Sequence, residues 1–288
     1  MPRILTRTVA LDSTQLGSGP DLVLSHGLGA NQAFWYFRIA PQLAARFRVT
    51  LYDLRGHGNS ERPPRGYTTR DLAEDLAALM DAWGMERAHL VGHSYGGAVS
   101  LHFAALFPHR ARSVTMIDSR LHSLQPFDSP EDRVYWDEQR QRTQARGHHI
   151  PPGTPRWLMP MFEELEASYK ENLGPGMLPG GKPGEGIWDP NRRSSKRWLK
   201  LIGETTFLED LRDEAGLTAE AIAAVNVPSL LVYGENSLLS KTCEELGRLL
   251  PDVRTRVLKG AGHFFPLARP DWVIDNVMPF LTNLTGNS

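Results

Sequence analysis

The chain of 288 residues holds a single cysteine, Cys243. No disulfide can form within it, and a zinc site built on cysteine thiolates is excluded. Long apolar runs are missing too: nothing approaches the roughly 20 consecutive apolar residues of a membrane-spanning helix, so no membrane partner is expected. An excess of charge of either sign is also absent, with 32 Lys and Arg against 33 Asp and Glu. That balance removes any overall electrostatic attraction to nucleic acid or to an anionic lipid surface. The opening stretch Met1-Pro2-Arg3-Ile4-Leu5-Thr6-Arg7 lacks the apolar segment of a signal peptide, which makes the cytoplasm the expected compartment. Under that expectation the sequon-like Asn283-Leu284-Thr285 is a coincidence. What is present is the composition of a globular protein, 41% hydrophobic and 23% charged, long enough for one large core with a sizeable insertion.

Short apolar strands alternate with helical stretches from residue 21 to about residue 118, the pattern of a parallel sheet wrapped by helices. Leu22-Val23-Leu24-Ser25 is one strand and ends at His26-Gly27-Leu28-Gly29; Val49-Thr50-Leu51-Tyr52-Asp53 is the next and ends at Arg55-Gly56-His57-Gly58-Asn59-Ser60. A helix is predicted from about Thr69 to Trp83, with Leu72, Leu76, Leu79 and Met80 on one face. Ala88-His89-Leu90-Val91 reads as a buried strand, Gly97 to Phe107 as a helix stopped by Pro108, and Ser113 to Asp118 as a further strand. From Ser119 to about Val225 the alternation breaks. Charged helical stretches run from Pro130 to Arg146 and from Ser194 to Asp213, and the glycine- and proline-rich run 174–186 between them reads as a loop. This segment holds Trp136, Trp157, Trp188 and Trp198, which form either its own small core or the lining of an apolar cavity. The alternation resumes with a strand Ser229 to Tyr233, a helix near Lys241 to Leu250, a strand Thr255 to Leu258 and a terminal helix beginning near Pro270.

Between the strand at Ala88 and the helix that follows lies Gly92-His93-Ser94-Tyr95-Gly96, a G-x-S-x-G elbow. A serine on so sharp a turn needs small neighbours, because its own backbone is strained and larger side chains would strike the flanking strands. Ser94 is thus the candidate nucleophile. A serine hydroxyl attacks poorly until an adjacent base takes its proton, and among the ten histidines His263 stands out. It comes last in chain order, in Gly260-Ala261-Gly262-His263-Phe264-Phe265-Pro266, where glycines let a loop carry an imidazole over the serine. His26, Asn31, His57 and Arg55 read as organisers of turns, and His93 as a packed elbow residue. His148-His149 has no further ligand at helical spacing, so no metal is expected. The first strand ends in His26-Gly27-Leu28-Gly29 rather than in a dinucleotide-binding glycine pattern, so no cofactor is expected.

These motifs together resemble the α/β-hydrolase superfamily over nearly the whole chain. The resemblance implies an α/β fold with a mostly parallel, eight-stranded sheet, helices on both faces and a helical cap. It divides the chain into a core, 1–118 and 226–288, and a cap, 119–225, inserted after the strand that ends at Asp118. It further implies an oxyanion hole made by the backbone N–H groups of Leu28 and Tyr95. One position departs from the family pattern. Most members carry an aspartate three residues after the glycine that ends the strand before the penultimate helix, and Gly234-Glu235-Asn236-Ser237 puts a serine there. Ser237 can accept an imidazole N–H but cannot balance an imidazolium charge. Asp118 is the leading replacement, since some relatives, such as one branch of the haloalkane dehalogenases, carry their acid at that strand end. Glu235, or no carboxylate at all, are the alternatives.

The activity implied is that of a cofactor-free serine hydrolase, acting on a small-molecule carboxylic ester or thioester with an apolar acyl group through an acyl-enzyme on Ser94. Two other readings stand beside it: carbon-carbon bond hydrolysis of a diketone-like substrate, and a ligand-binding homologue without turnover, which Ser237 motivates. A serine at the elbow argues against dehalogenase and epoxide hydrolase chemistry, which in this fold use an aspartate there.

Overall fold

The computed structural model describes residues 3–6, 9–127, 129–145, 193–214 and 216–285. The glycine- and proline-rich run 174–186, Trp157, Trp188 and His148-His149 lie outside the described residues. Eight strands form one sheet: β1 (Arg3–Leu5), β2 (Ala10–Leu16), β3 (Asp21–Ser25), β4 (Arg48–Tyr52), β5 (Ala88–His93), β6 (Ala111–Ile117), β7 (Ser229–Gly234) and β8 (Val253–Leu258). Their spatial order is β1-β2-β4-β3-β5-β6-β7-β8. Pairing is antiparallel from β1 to β2 and from β2 to β4, and parallel for every other neighbour.

The order reverses at β3, whose connection leads outward to β4 while β5 pairs on its other side. In an open α/β sheet such a switch point leaves a crevice beyond the carboxyl ends of the two strands. The two ends here are His26-Gly27-Leu28-Gly29 and Ser94. The central strands are buried along their whole length, as a parallel sheet covered on both faces requires: all six residues of β5 and of β7 are buried. β8 is the far edge, with its middle residues exposed.

The helix α1 spans Ala33–Tyr36, α2 spans Ala40–Leu43 and α3 spans Thr69–Ala82. Thr68 starts α3 with a capping box, its hydroxyl accepting from the Asp71 N–H while the Asp71 carboxylate reaches back to the Thr68 N–H. Leu72, Leu76, Leu79 and Met80 then face inward. The elbow helix α4, Tyr95–Leu106, is buried on all sides from Tyr95 to Ala104, which fits a helix that is apolar all round. It begins two residues earlier than predicted, directly after Ser94, and its first turn packs closely: a Cβ on Gly96 or Gly97 would overlap Ser25 or Ser119.

Two further differences have physical causes. β1 and β2 carry no strong apolar alternation; β2 is written Ala-Leu-Asp-Ser-Thr-Gln-Leu, and its polar residues find side-chain partners in neighbouring elements, Thr14 in Gln32 and Gln15 in Thr50 of β4. The single helix expected over Ser194 to Asp213 is two, Arg193–Glu204 and Phe207–Asp210. Thr205 turns its hydroxyl onto the Leu201 carbonyl, and the Thr206 N–H leaves the helix for Pro64 O at 3.0 Å, so the β-branched pair ends the first helix. The terminal helix is Pro270–Thr285. Among the described residues no helix is long and apolar enough to cross a membrane.

Candidate active site

Ser94 sits at φ 54°, ψ −123°, a conformation that costs roughly 1–3 kcal/mol for a residue with a side chain. Its surroundings hold it there. The Ser94 N–H donates to Ile117 O at 2.9 Å, and Gly97 N–H returns to Ser94 O at 3.0 Å. Gly27 lies so close that a Cβ on it would come within 2.8 Å of the Ser94 Cβ. The strained turn lifts the Ser94 hydroxyl out of the sheet at the switch point.

His263, on the loop between β8 and the short helix Phe265–Ala268, places Nε2 3.1 Å from Ser94 Oγ. Its Nδ1 lies 2.6 Å from Asp118 Oδ2. Because a carboxylate only accepts, Nδ1 carries the proton and Nε2 presents its lone pair to the serine hydroxyl. Asp118 follows β6 at φ 46° and is fully buried. Its other oxygen accepts from the Gly234 N–H at 2.9 Å. Ser237 does not take the imidazole proton, as its position in the chain suggested. It donates to Asp118 Oδ2 at 2.5 Å and accepts from the Leu239 N–H at 3.2 Å. Glu235 is exposed and accepts the Gly260 N–H at 2.8 Å, tying the ends of β7 and β8 together.

Leu28 and Gly29 form the centre of a tight turn closed by Ala30 N–H on Gly27 O at 3.3 Å. The same Gly27 carbonyl accepts from His26 Nδ1 at 2.8 Å, while His26 Nε2 accepts the Leu54 N–H at 3.0 Å. His26 thus joins the turn after β3 to the end of β4. Burial lowers its pKa to about 4. The neighbouring His57 donates from Nδ1 to Arg55 O, and burial, with His26 beside it, lowers its pKa to about 3. Neither N–H of Leu28 nor that of Tyr95, the first residue of α4, has a hydrogen-bond acceptor among the described residues. A helix leaves its first N–H groups free, as at Tyr95, and Leu28 lines the same cleft as Ser94.

His93 supports His263 from behind. Its Nε2 donates to the His263 carbonyl at 3.0 Å, its ring stacks on Phe34, and burial, followed by the nearby His263, holds its pKa well below the usual value. The Tyr95 hydroxyl donates to Tyr67 O at 2.6 Å and anchors the start of α4. Asp53 accepts the N–H groups of Gln32 and Asn59, and Arg55 pairs with buried Asp75 in a two-pronged bridge at 2.6 Å. These residues brace the two turns.

Above Ser94 and His263 opens a cleft of about 880 Å³, counting the space at its mouth. Its described walls are mostly apolar, with Leu28, Phe127, Trp136, Leu211, Leu238 and Leu239 among them. Arg120 also reaches it, paired with Asp132 at 2.5 Å and lying over the Phe127 ring. Of the tryptophans read from the sequence, Trp136 lines this cleft, while Trp198 packs on Gly29, His57 and Phe207. Sequence reasoning missed both the contact of Trp198 with the turn at Leu28-Gly29 and the support of Asp118 by Ser237. A serine where an aspartate is usual, with an aspartate at the neighbouring strand end, was the available signal for the second. Among the described residues no group of His, Cys, Asp and Glu side chains could hold a metal ion.

The fold and this constellation define a hydrolase, and the chain belongs to the alpha/beta hydrolase fold family, whose model matches residues 20–270. It is similar to a putative carbamate hydrolase, RutD, of Azorhizobium caulinodans, with 41% identity over 88% of each chain. It is also similar to the pimeloyl-[acyl-carrier protein] methyl ester esterase of Aeromonas hydrophila, with 31% identity over 93% of this chain and 97% of that one. Among solved structures, E-2-(acetamidomethylene)succinate hydrolase superposes with a TM-score of 0.68, 27% identity and 98% of each chain covered.

Proposed function

We propose that the protein is a cofactor-free serine hydrolase of small carboxylic esters or thioesters, with Ser94 as nucleophile, His263 as base and Asp118 as acid. The observation that carries this reading is the continuous path from Ser94 Oγ to His263 Nε2 at 3.1 Å and from His263 Nδ1 to Asp118 Oδ2 at 2.6 Å. Ser94 Oγ attacks the carbonyl carbon as its proton passes to Nε2, and the new oxyanion accepts from the N–H groups of Leu28 and Tyr95. The imidazolium, balanced by Asp118, gives its proton to the departing alkoxide or thiolate. Water then attacks the acyl carbon and loses a proton to His263, and Ser94 leaves with that proton restored.

The apolar walls of the cleft support an apolar acyl group, and the activities for which the two relatives are named, on an ester and a carbamate, support attack at a carbonyl. A helical cap over residues 119–225 is supported by the described part of that segment, which contains helices and no strand. A p-nitrophenyl butyrate assay tests the reading: a pre-steady-state burst and fluorophosphonate labelling at Ser94, both lost in Ser94→Ala, are expected. Steady turnover in Ser94→Ala at the wild-type rate would overturn it.

A further inference from the structure

Two side chains of the helix Arg193–Glu204 are each seated on a glycine of the core. A Cβ at Gly29 would come within 2.6 Å of Trp198 Nε1 and 2.8 Å of Trp198 Cζ2; a Cβ at Gly56 would come within 2.6 Å of Leu201 Cδ1. Both glycines have positive φ, 76° and 75°. Trp198 and Leu201 are buried, and the indole meets His57 and Phe207 edge-on at 5.6 Å. The indole therefore lies against the Cα of Gly29, next in the chain to Leu28.

A turn centred on glycine has no side chain of its own to lock it, so what packs on its backbone decides where its N–H groups aim. On one side His26 holds the Gly27 carbonyl at 2.8 Å. On the other, only a neighbour brought from elsewhere in the chain can bear on Gly29. We infer that Trp198 is a positioning residue for the oxyanion turn, so that seating the helix Arg193–Glu204 sets the Leu28 N–H at the distance the developing oxyanion needs. This rests on the serine-hydrolase reading. Leu201 supplies an internal comparison, since it belongs to the same helix and fills the same kind of seat on a turn that carries none of the proposed donors.

The test compares wild type, Trp198→Ala, Trp198→Phe and Leu201→Ala with p-nitrophenyl butyrate as substrate and phenylboronic acid as a tetrahedral mimic. Displacing a donor without deleting it should lower kcat roughly tenfold in Trp198→Ala, short of the ~10²- to 10³-fold cost of losing a donor outright. KM is expected to stay within about twofold, with boronate affinity weakened by the same factor as kcat. Trp198→Phe, whose shorter ring no longer reaches Gly29, should show the same pattern to a smaller degree. Leu201→Ala should lower Tm while leaving kcat and boronate affinity within about twofold of wild type. If Trp198→Phe matches wild type in kcat and boronate affinity, or if Leu201→Ala lowers both as much as the tryptophan variants do, the positioning role is refuted. A wild-type enzyme with no turnover and no fluorophosphonate labelling refutes instead the serine-hydrolase reading.

Discussion

Lowering the pH from 7 to 5 should strip several kcal/mol of stability from the fold through its buried, neutral histidines, and His57 gives the cleanest measure of one of them. The free imidazole titrates near 6.5, whereas burial lowers His26 to about 4 and His57 to about 3. Geometry explains both directions. His26 Nε2 already accepts the Leu54 N–H, so a proton there would set two donors against each other. His57 Nε2 is buried without a hydrogen-bond partner among the described residues, in a shell that includes His26, Trp198 and Phe207. With folded pKa values below the unfolded one, the unfolded chain binds more protons in this window, so stability is complete above about pH 6.5 and falls as the pH drops toward 4. At pH 5 an unfolded imidazole is about 97% protonated while the folded ones stay mostly neutral, a loss of ~2 kcal/mol for each histidine and ~4 for the pair. His89 and His102, also lowered to about 4, act in the same direction. Urea unfolding at pH 7, 6 and 5 and constant ionic strength measures the total. His57→Gln keeps a donor for Arg55 O but cannot titrate, so its loss between pH 7 and 5 should be smaller than that of wild type by ~2 kcal/mol. Equal pH dependence in the two proteins would refute the reasoning.

The remaining predictions concern the acid. Asp118→Asn should lower kcat roughly 10³- to 10⁴-fold, by analogy with loss of the acid in serine proteases, while Glu235→Gln stays within about twofold of wild type; the reverse ranking in a p-nitrophenyl butyrate assay would move the acid to Glu235. Ser237→Ala removes a donor from Asp118 Oδ2, leaving its charge more concentrated on His263. The acidic limb of kcat/KM should shift to higher pH, with Ser237→Thr restoring the wild-type profile; an unmoved limb in Ser237→Ala would show that the hydroxyl only fills space.

The elbow was legible because strain leaves little choice: Gly92, Gly96 and Gly97 each sit where a Cβ would overlap backbone or Ser119. The buried strands β3, β5, β6 and β7 were legible for a similar reason, their apolar runs having no other use in a covered sheet. The hairpin of β1 and β2 was hidden because an edge need not be apolar, and the break at Thr205-Thr206 because it depends on Pro64, remote in sequence. Ser237 could be seen to be out of place, yet the direction of its hydrogen bond was decided by Asp118, which approaches from the neighbouring strand. Trp198 was visible only as one aromatic among several. Its contact with Gly29 is made by the three-dimensional path of a helix whose sequence gives no hint of where it lands.

The hydrogen bond from the Ser94 N–H to Ile117 O, at 2.9 Å, makes Ser94 and the residue before Asp118 opposite ends of one rung between β5 and β6. Ser94 and Asp118 therefore sit at the ends of adjacent strands, and β7 holds the Asp118 carboxylate from its other side through Gly234 and Ser237. His263 hangs instead from the loop beyond the edge strand β8. Loosening of that edge by heat or denaturant should accordingly disconnect His263 while Ser94 and Asp118 still stand in register, and activity should fade before the sheet itself comes apart.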